Sequence, residues 1–141
     1  MKCKRFRRLR LLSILIMTSG CGPVGDRIPV SKTSGKLVWS ENQTMGLMIV
    51  LHPTDPTAPR LPVQPTGVIQ SDGTFEITCY ETSDGAPAGE YIVTIREAPR
   101  AEDAKRPKLP PPKYLKNATS PLRIRIEKQP LNNLGEIVIE S

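Results

Sequence analysis

The chain has 141 residues and a formal net charge of +6, and only 4% of it is aromatic. The positive excess is confined to residues 1–20, where Lys2, Lys4, Arg5, Arg7, Arg8 and Arg10 stand without an acid; the remainder holds 14 basic and 14 acidic residues. That balance removes the basic footprint expected of a nucleic-acid binder, and the aromatics are too few for a single-strand stacking platform.

After the basic start come Leu11, Leu12, Ile14, Leu15, Ile16 and Met17, then Thr18-Ser19-Gly20-Cys21. The apolar run is shorter than the about 20 residues needed to span a bilayer. Basic start, short apolar run, small residues and a cysteine together resemble a bacterial lipoprotein signal peptide. Thr18 departs from that pattern, which usually has an aliphatic residue there. Arg7-Arg8 lacks the flanks of a twin-arginine signal. The resemblance implies that residues 1–20 are removed and that lipidation falls on Cys21. Its sulfur would carry diacylglycerol and its amine an acyl chain such as palmitate. Two or more chains anchor stably, at about 0.8 kcal/mol per buried CH₂. The expected location is therefore exported and lipid-anchored, to the cell membrane or the outer membrane. Gly22 rather than Asp after the cysteine favours the outer membrane by the Gram-negative sorting rule. The domain would lie in the periplasm or outside the cell. With Cys3 removed and Cys21 lipid-linked, Cys79 has no intrachain partner.

Residues 21–32 read as the lipidated cysteine and a tether with Pro23, Gly25 and Pro29. From residue 33 to 141 the pattern is β throughout. A first strand runs from Thr33 to Trp39, with Leu37 and Trp39 on one face, and Trp39 reads as a core filler. The second covers Met45 to Pro53; Leu47, Ile49 and Leu51 point one way, Met48, Val50 and His52 the other. Thr54 to Pro65 has four prolines, which lack the N–H of a central strand, so it is irregular. Val68-Ile69-Gln70 and the run Phe75, Ile77, Cys79 flank Asp72-Gly73, a strong hairpin signal. After the turn-forming stretch Ser83 to Gly89, Tyr91, Val93 and Ile95 alternate inward; Ile92 on the outer face breaks the pattern. Ala98 to Ala118 is a second long Pro-rich loop, locally basic, with Pro110-Pro111-Pro112 read as a stiff crossover. Leu122, Ile124 and Ile126 alternate with Arg123 and Arg125, whose charges suit a solvated edge. Leu134 to Glu140 is the last strand, with Ile137 and Ile139 inward. No stretch of residues 33–141 reads as a helix.

Seven short strands between turn signals predict an all-β fold, an antiparallel β-sandwich of about seven strands. The segments SDGTFEIT and GAPAGEYIVTI, supported by PPKY and TSPL, resemble the small lipoproteins of planctomycete-type bacteria. Their exported domain is similar to carboxypeptidase-regulatory-like and transthyretin-like sandwiches. The resemblance covers most of residues 33–141 and implies a fold and a location more than an activity.

The residues offer little chemistry. His52 is the single histidine, so a metal site of three or four histidine ligands cannot be assembled, and no nucleophile reads as paired with it as a base. No phosphate-binding loop is present. Glu76, Glu90 and Glu97 read as surface positions. The expectation is a non-catalytic protein with no cofactor and no metal. It is a binding or structural module at the cell envelope whose partners are the membrane, through the lipid, and an envelope protein or glycan. The alternative is a carbohydrate-binding or accessory domain, with Tyr114 in the second long loop as the best exposed ring for ligand contact. A Lys–Asn isopeptide bond from Lys36 to Asn132 or Asn133, helped by Glu76, is a further candidate, opposed by the out-of-phase positions of Lys36 and Glu76.

Overall fold

The computed structural model describes residues 27–39 and 44–140; Cys21 and the rest of the expected leader and tether up to residue 26 lie outside them. Seven strands form the fold: β1 (Lys32–Trp39), β2 (Leu47–Pro53), β3 (Thr66–Val68), β4 (Thr74–Glu76), β5 (Gly89–Glu97), β6 (Arg123–Ile126) and β7 (Leu131–Ile139). They build two facing sheets. One has the order β4-β1-β7 and the other the order β3-β2-β5-β6. The all-β sandwich expected from the alternation is present.

The alternating residues make the core. Leu37, Leu47, Ile49, Leu51, Phe75, Ile77, Val93, Ile95, Ile126 and Ile139 are almost wholly buried, with Trp39, Cys79, Tyr91 and Ile137 close behind. In the larger sheet Ile49 pairs with Ile95 and Leu51 with Val93, inward against inward, while Met48 faces Arg96 and His52 faces Ile92 on the outside. Ile92 is half-buried on the outer face, in register between His52 of β2 and Arg123 of β6. That accounts for the break in alternation.

Two pairings differ from expectation. First, β7 runs parallel to β1, matching Leu37 to Ile137 and Trp39 to Ile139, so the sandwich is not wholly antiparallel. Parallel neighbours need a long crossover; here everything from β2 to β6 is that crossover. Between the Ser34–Asn133 and Lys36–Glu136 pairs, β7 has the two residues Leu134 and Gly135 against the one Gly35 of β1, a bulge in which Gly135 takes a positive φ of 65°. Second, Asp72-Gly73 makes the tight turn, but not a hairpin. Gly73 N–H donates to Gln70 O at 3.0 Å, and Asp72 Oδ1 accepts from Thr74 N at 3.0 Å. The flanking strands then part, β3 joining β2 and β4 joining β1. The two limbs stay linked beside the turn by Gln70 N donating to Thr74 O at 2.8 Å and, farther out, by a bridge from Thr66 to Thr78. Alternation specifies which face is buried, and that face is satisfied in either sheet.

The second long loop carries a 3₁₀ turn at Pro112–Tyr114. It inserts Tyr114 into the core, and Tyr114 Oη accepts a hydrogen bond from Glu140 N at 3.1 Å, at the end of β7.

Candidate functional site

The most built-up local structure is the end of the sandwich where the chain enters. Arg27 to Ser31 lies against the domain instead of leaving it. Ser31 N donates to Ala86 O at 2.9 Å and Ala86 N to Ser31 O at 3.2 Å, a two-bond bridge. The Arg27 guanidinium lies 5.3 Å from the centre of the Tyr80 ring and donates to Glu81 at 3.1 Å. Both partners of the ion pair are more than half exposed, so the pair itself contributes at most about 1 kcal/mol. Ile28, with Pro53, Leu61, Pro87 and Tyr91, lines a cavity of about 120 Å³ at this end.

The loop that receives the arm is organised by Asp84. Its carboxylate accepts backbone N–H bonds from Cys79 at 2.7 Å, Tyr80 at 3.0 Å and Glu81 at 2.9 Å. Successive N–H groups curled around an anion are a nest; here the chain fills it with its own acid. Ser83 takes a positive φ of 57°, supported by its N–H bond to Thr78 Oγ1 at 3.0 Å. Gly85 follows with φ 100°, and a side chain there would overlap Ser31 O. Sequence reasoning marked this stretch only as turn-forming. The Ser-Asp-Gly run was the available signal, but not what it grips.

The residues singled out from the sequence are dispersed. Tyr114 is corrected from exposed ring to core: it is 2% exposed, with Lys113 Nζ 4.9 Å from its ring centre. The stiff Pro-Pro-Pro run drives the loop inward, and the phenol keeps a polar partner there, as buried tyrosines generally do. Trp39 is buried as expected, with Lys108 Nζ 5.9 Å from its ring centre. Cys79 is 5% exposed; burial, then the nearby Asp84, push its thiol above the ordinary range. A thiol so placed is a packing group, not a nucleophile.

His52 is held at both nitrogens. Thr94 Oγ1 lies 2.9 Å from Nε2, and Gln64 Nε2 lies 3.1 Å from Nδ1. Nε2–H donating to Thr94 and Nδ1 accepting from Gln64 satisfies the neutral ring. Burial, then the Arg96 charge, lower its pKa from the ordinary 6.5. Beside it an open groove of about 580 Å³ runs over Met48, Val50 and Thr66, walled by Gln64 and the segment 97–102. Glu97 in that wall is ion-paired to Arg100, whose hydrogen bond lowers the carboxyl below its usual range.

Arg123 stays on the exposed outer face of β6, while Arg125 pairs with Glu127 at 2.7 Å and Glu90 at 3.7 Å. Lys36 is exposed and registers against Thr74 and Glu136, and Glu76 is exposed opposite Ser34. Asn132 is buried with its amide engaged by Glu127 and Gln129. Its Cα partner on β1 is Thr33, and that of Asn133 is Ser34. The proposed isopeptide partners are therefore not brought together. Among the described residues no three of His, Cys, Asp or Glu group as metal ligands, and no helix is long and apolar enough to cross a membrane.

No protein-family model matches the chain, and no curated protein matches it. Among solved structures, a DUF3823 family protein from Parabacteroides merdae ATCC 43184 is similar at 14% identity and a TM-score of 0.40 over 80% of this chain. A 9R-lipoxygenase from Cyanothece PCC8801 is similar at 16% identity and a TM-score of 0.40 over 79% of this chain. The chain covers 46% of the first and 16% of the second.

Proposed function

We propose that this protein is a lipid-anchored component of a bacterial cell envelope whose β-sandwich is a non-catalytic binding or structural module. The observation that carries the reading is the run Thr18-Ser19-Gly20-Cys21 after a basic and then apolar start, followed by a domain of zero formal net charge. Removal of residues 1–20 would leave Cys21 as the lipidated first residue. The resemblance to small planctomycete-type lipoproteins with carboxypeptidase-regulatory-like or transthyretin-like sandwiches supports the same reading. So does the state of His52, whose ring nitrogens are both engaged in packing the outer face of the larger sheet. The partner class is an envelope protein or glycan, alongside the membrane itself. The carbohydrate-binding alternative rested on Tyr114 as an exposed ring and loses that support with its burial.

The test is fractionation of wild type beside Cys21→Ser, with labelled palmitate and intact mass. Wild type should partition with membranes and carry label, and the variant should be soluble and unlabelled. Equal solubility of the two, or wild type without acyl mass, refutes the anchor. A pull-down from envelope fractions that returns neither protein nor glycan would count against the binding role.

A further inference from the structure

We infer that the end of the sandwich formed by Arg27–Ser31, the Thr54–Leu61 and Tyr80–Ala88 loops and the Glu127–Pro130 turn is the face apposed to the bilayer, and that the opposite end points away from it. This rests on the anchor reading above.

The reasoning is one of reach. A lipid on Cys21 would place that residue at the membrane surface. The described chain is already docked by Arg27, through Tyr80, Glu81 and the Ser31–Ala86 bridge. An extended chain advances at most about 3.5 Å per residue, so the Cα of Arg27 lies within about 20 Å of that of Cys21. Were the arm undocked, the leash would lengthen through Ser31 and the domain could tumble. Docked, it presents one end. β1 leaves this end at Lys32 and reaches the other at Trp39; at about 3.3 Å per residue its eight residues separate the ends by roughly 25 Å. β7 begins and ends at the same two levels.

The occupant argued here is the lipid surface, chosen by where the chain leaves the domain and how little of it remains before Cys21. The surface at this end is of mixed charge, with Asp55, Glu81 and Glu127 exposed among its cations, which suits a zwitterionic headgroup layer. Arg60 and Lys128 are exposed, and Leu131, at the foot of β7, is 61% exposed. The far end carries Met45, 57% exposed, and the segment Pro107 to Leu109, with Pro107 against Gly46 and Lys108 over Trp39. Any envelope partner would then meet the far end or the flanks of the sheets, and the arm end would be shielded.

The experiment uses the full chain, matured in a lipoprotein-processing host and reconstituted into phosphatidylcholine vesicles containing a headgroup nitroxide lipid. A bimane fluorophore is placed at Thr82→Cys or at Met45→Cys; buried Cys79 and a thioether-linked Cys21 do not compete for label. Co-flotation and acyl mass are measured on the same samples. The expected result is flotation with most emission lost at position 82 and none at 45. Inserting a long Gly-Ser spacer between Gly25 and Asp26 should abolish the difference. Flotation with equal loss at both positions, or the larger loss at 45, overturns the orientation and leaves the anchor standing. Absence of flotation and of acyl mass overturns both.

Discussion

Gly85→Ala isolates the contact that holds the entering arm. Gly85 has φ 100°, a conformation that L side chains rarely adopt, and a Cβ built there would stand 1.8 Å from Ser31 O and 2.8 Å from Lys32 Cα. Both are backbone atoms and cannot swing aside. The backbone strain costs about 1–3 kcal/mol. Relieving the overlap separates the arm from the loop and breaks both Ser31–Ala86 bonds, at about 1 kcal/mol each. The expected loss is about 3–5 kcal/mol, a large share of the 5–15 kcal/mol typical of domains. Gly135→Ala is the internal control: its φ is 65°, yet nothing lies within 4 Å of the added carbon. It should cost only about 1–2 kcal/mol. Urea unfolding followed by emission of the buried Trp39 measures both, and trypsin cleavage after Arg27 reports release of the arm. A Gly85→Ala loss no larger than that of Gly135→Ala, with the arm still protected, would refute the argument.

Asp84→Ala removes the acceptor of three backbone N–H groups and should cost roughly 2–4 kcal/mol, since hydrogen bonds to charged groups are the stronger kind; urea midpoints check it. Tyr114→Phe should lose about 1 kcal/mol with its Glu140 bond, and Tyr114→Ala about 3–5 kcal/mol through the cavity. An exposed ring would lose under about 0.5 kcal/mol in both, so the pair of variants tests the burial directly. His52 gives a pH signature. Its folded pKa lies below the ordinary 6.5, so between those values the unfolded chain binds a proton that the folded chain does not. Its contribution is complete above pH 6.5 and is lost as pH falls toward the folded value. Urea midpoints should therefore decline just below pH 6.5, and His52→Gln should flatten that decline. Asp72 and Glu97, whose carboxyls are held low by Thr74 and Arg100, act in a separate, more acid window.

The alternation of apolar and polar residues by itself determined that the chain is β and most of its buried face, but not every strand limit: β3 lies at Thr66–Val68 rather than Val68 to Gln70, and β7 begins at Leu131, through Asn132 and Asn133. Leu37, Ile49, Phe75, Val93 and Ile137 were legible because a strand puts every second side chain on one face and only an apolar face can be buried. The prolines of residues 54–65 likewise marked an irregular segment through their missing N–H. The neighbour of each strand was decided only in three dimensions. β3 and β4 part at Asp72-Gly73, and β7 lies parallel to β1, because backbone pairing is generic and the choice of partner is made by how two sheets close over a shared core. Loop side chains followed the same division. Tyr114 sits in a polar, basic, proline-rich stretch whose local pattern says surface, and its burial depends on the gap that β5 and β7 leave for it. The grip of Asp84 and Gly85 on the entering arm is also invisible in the pattern, since it joins Ser31 to a loop more than fifty residues away.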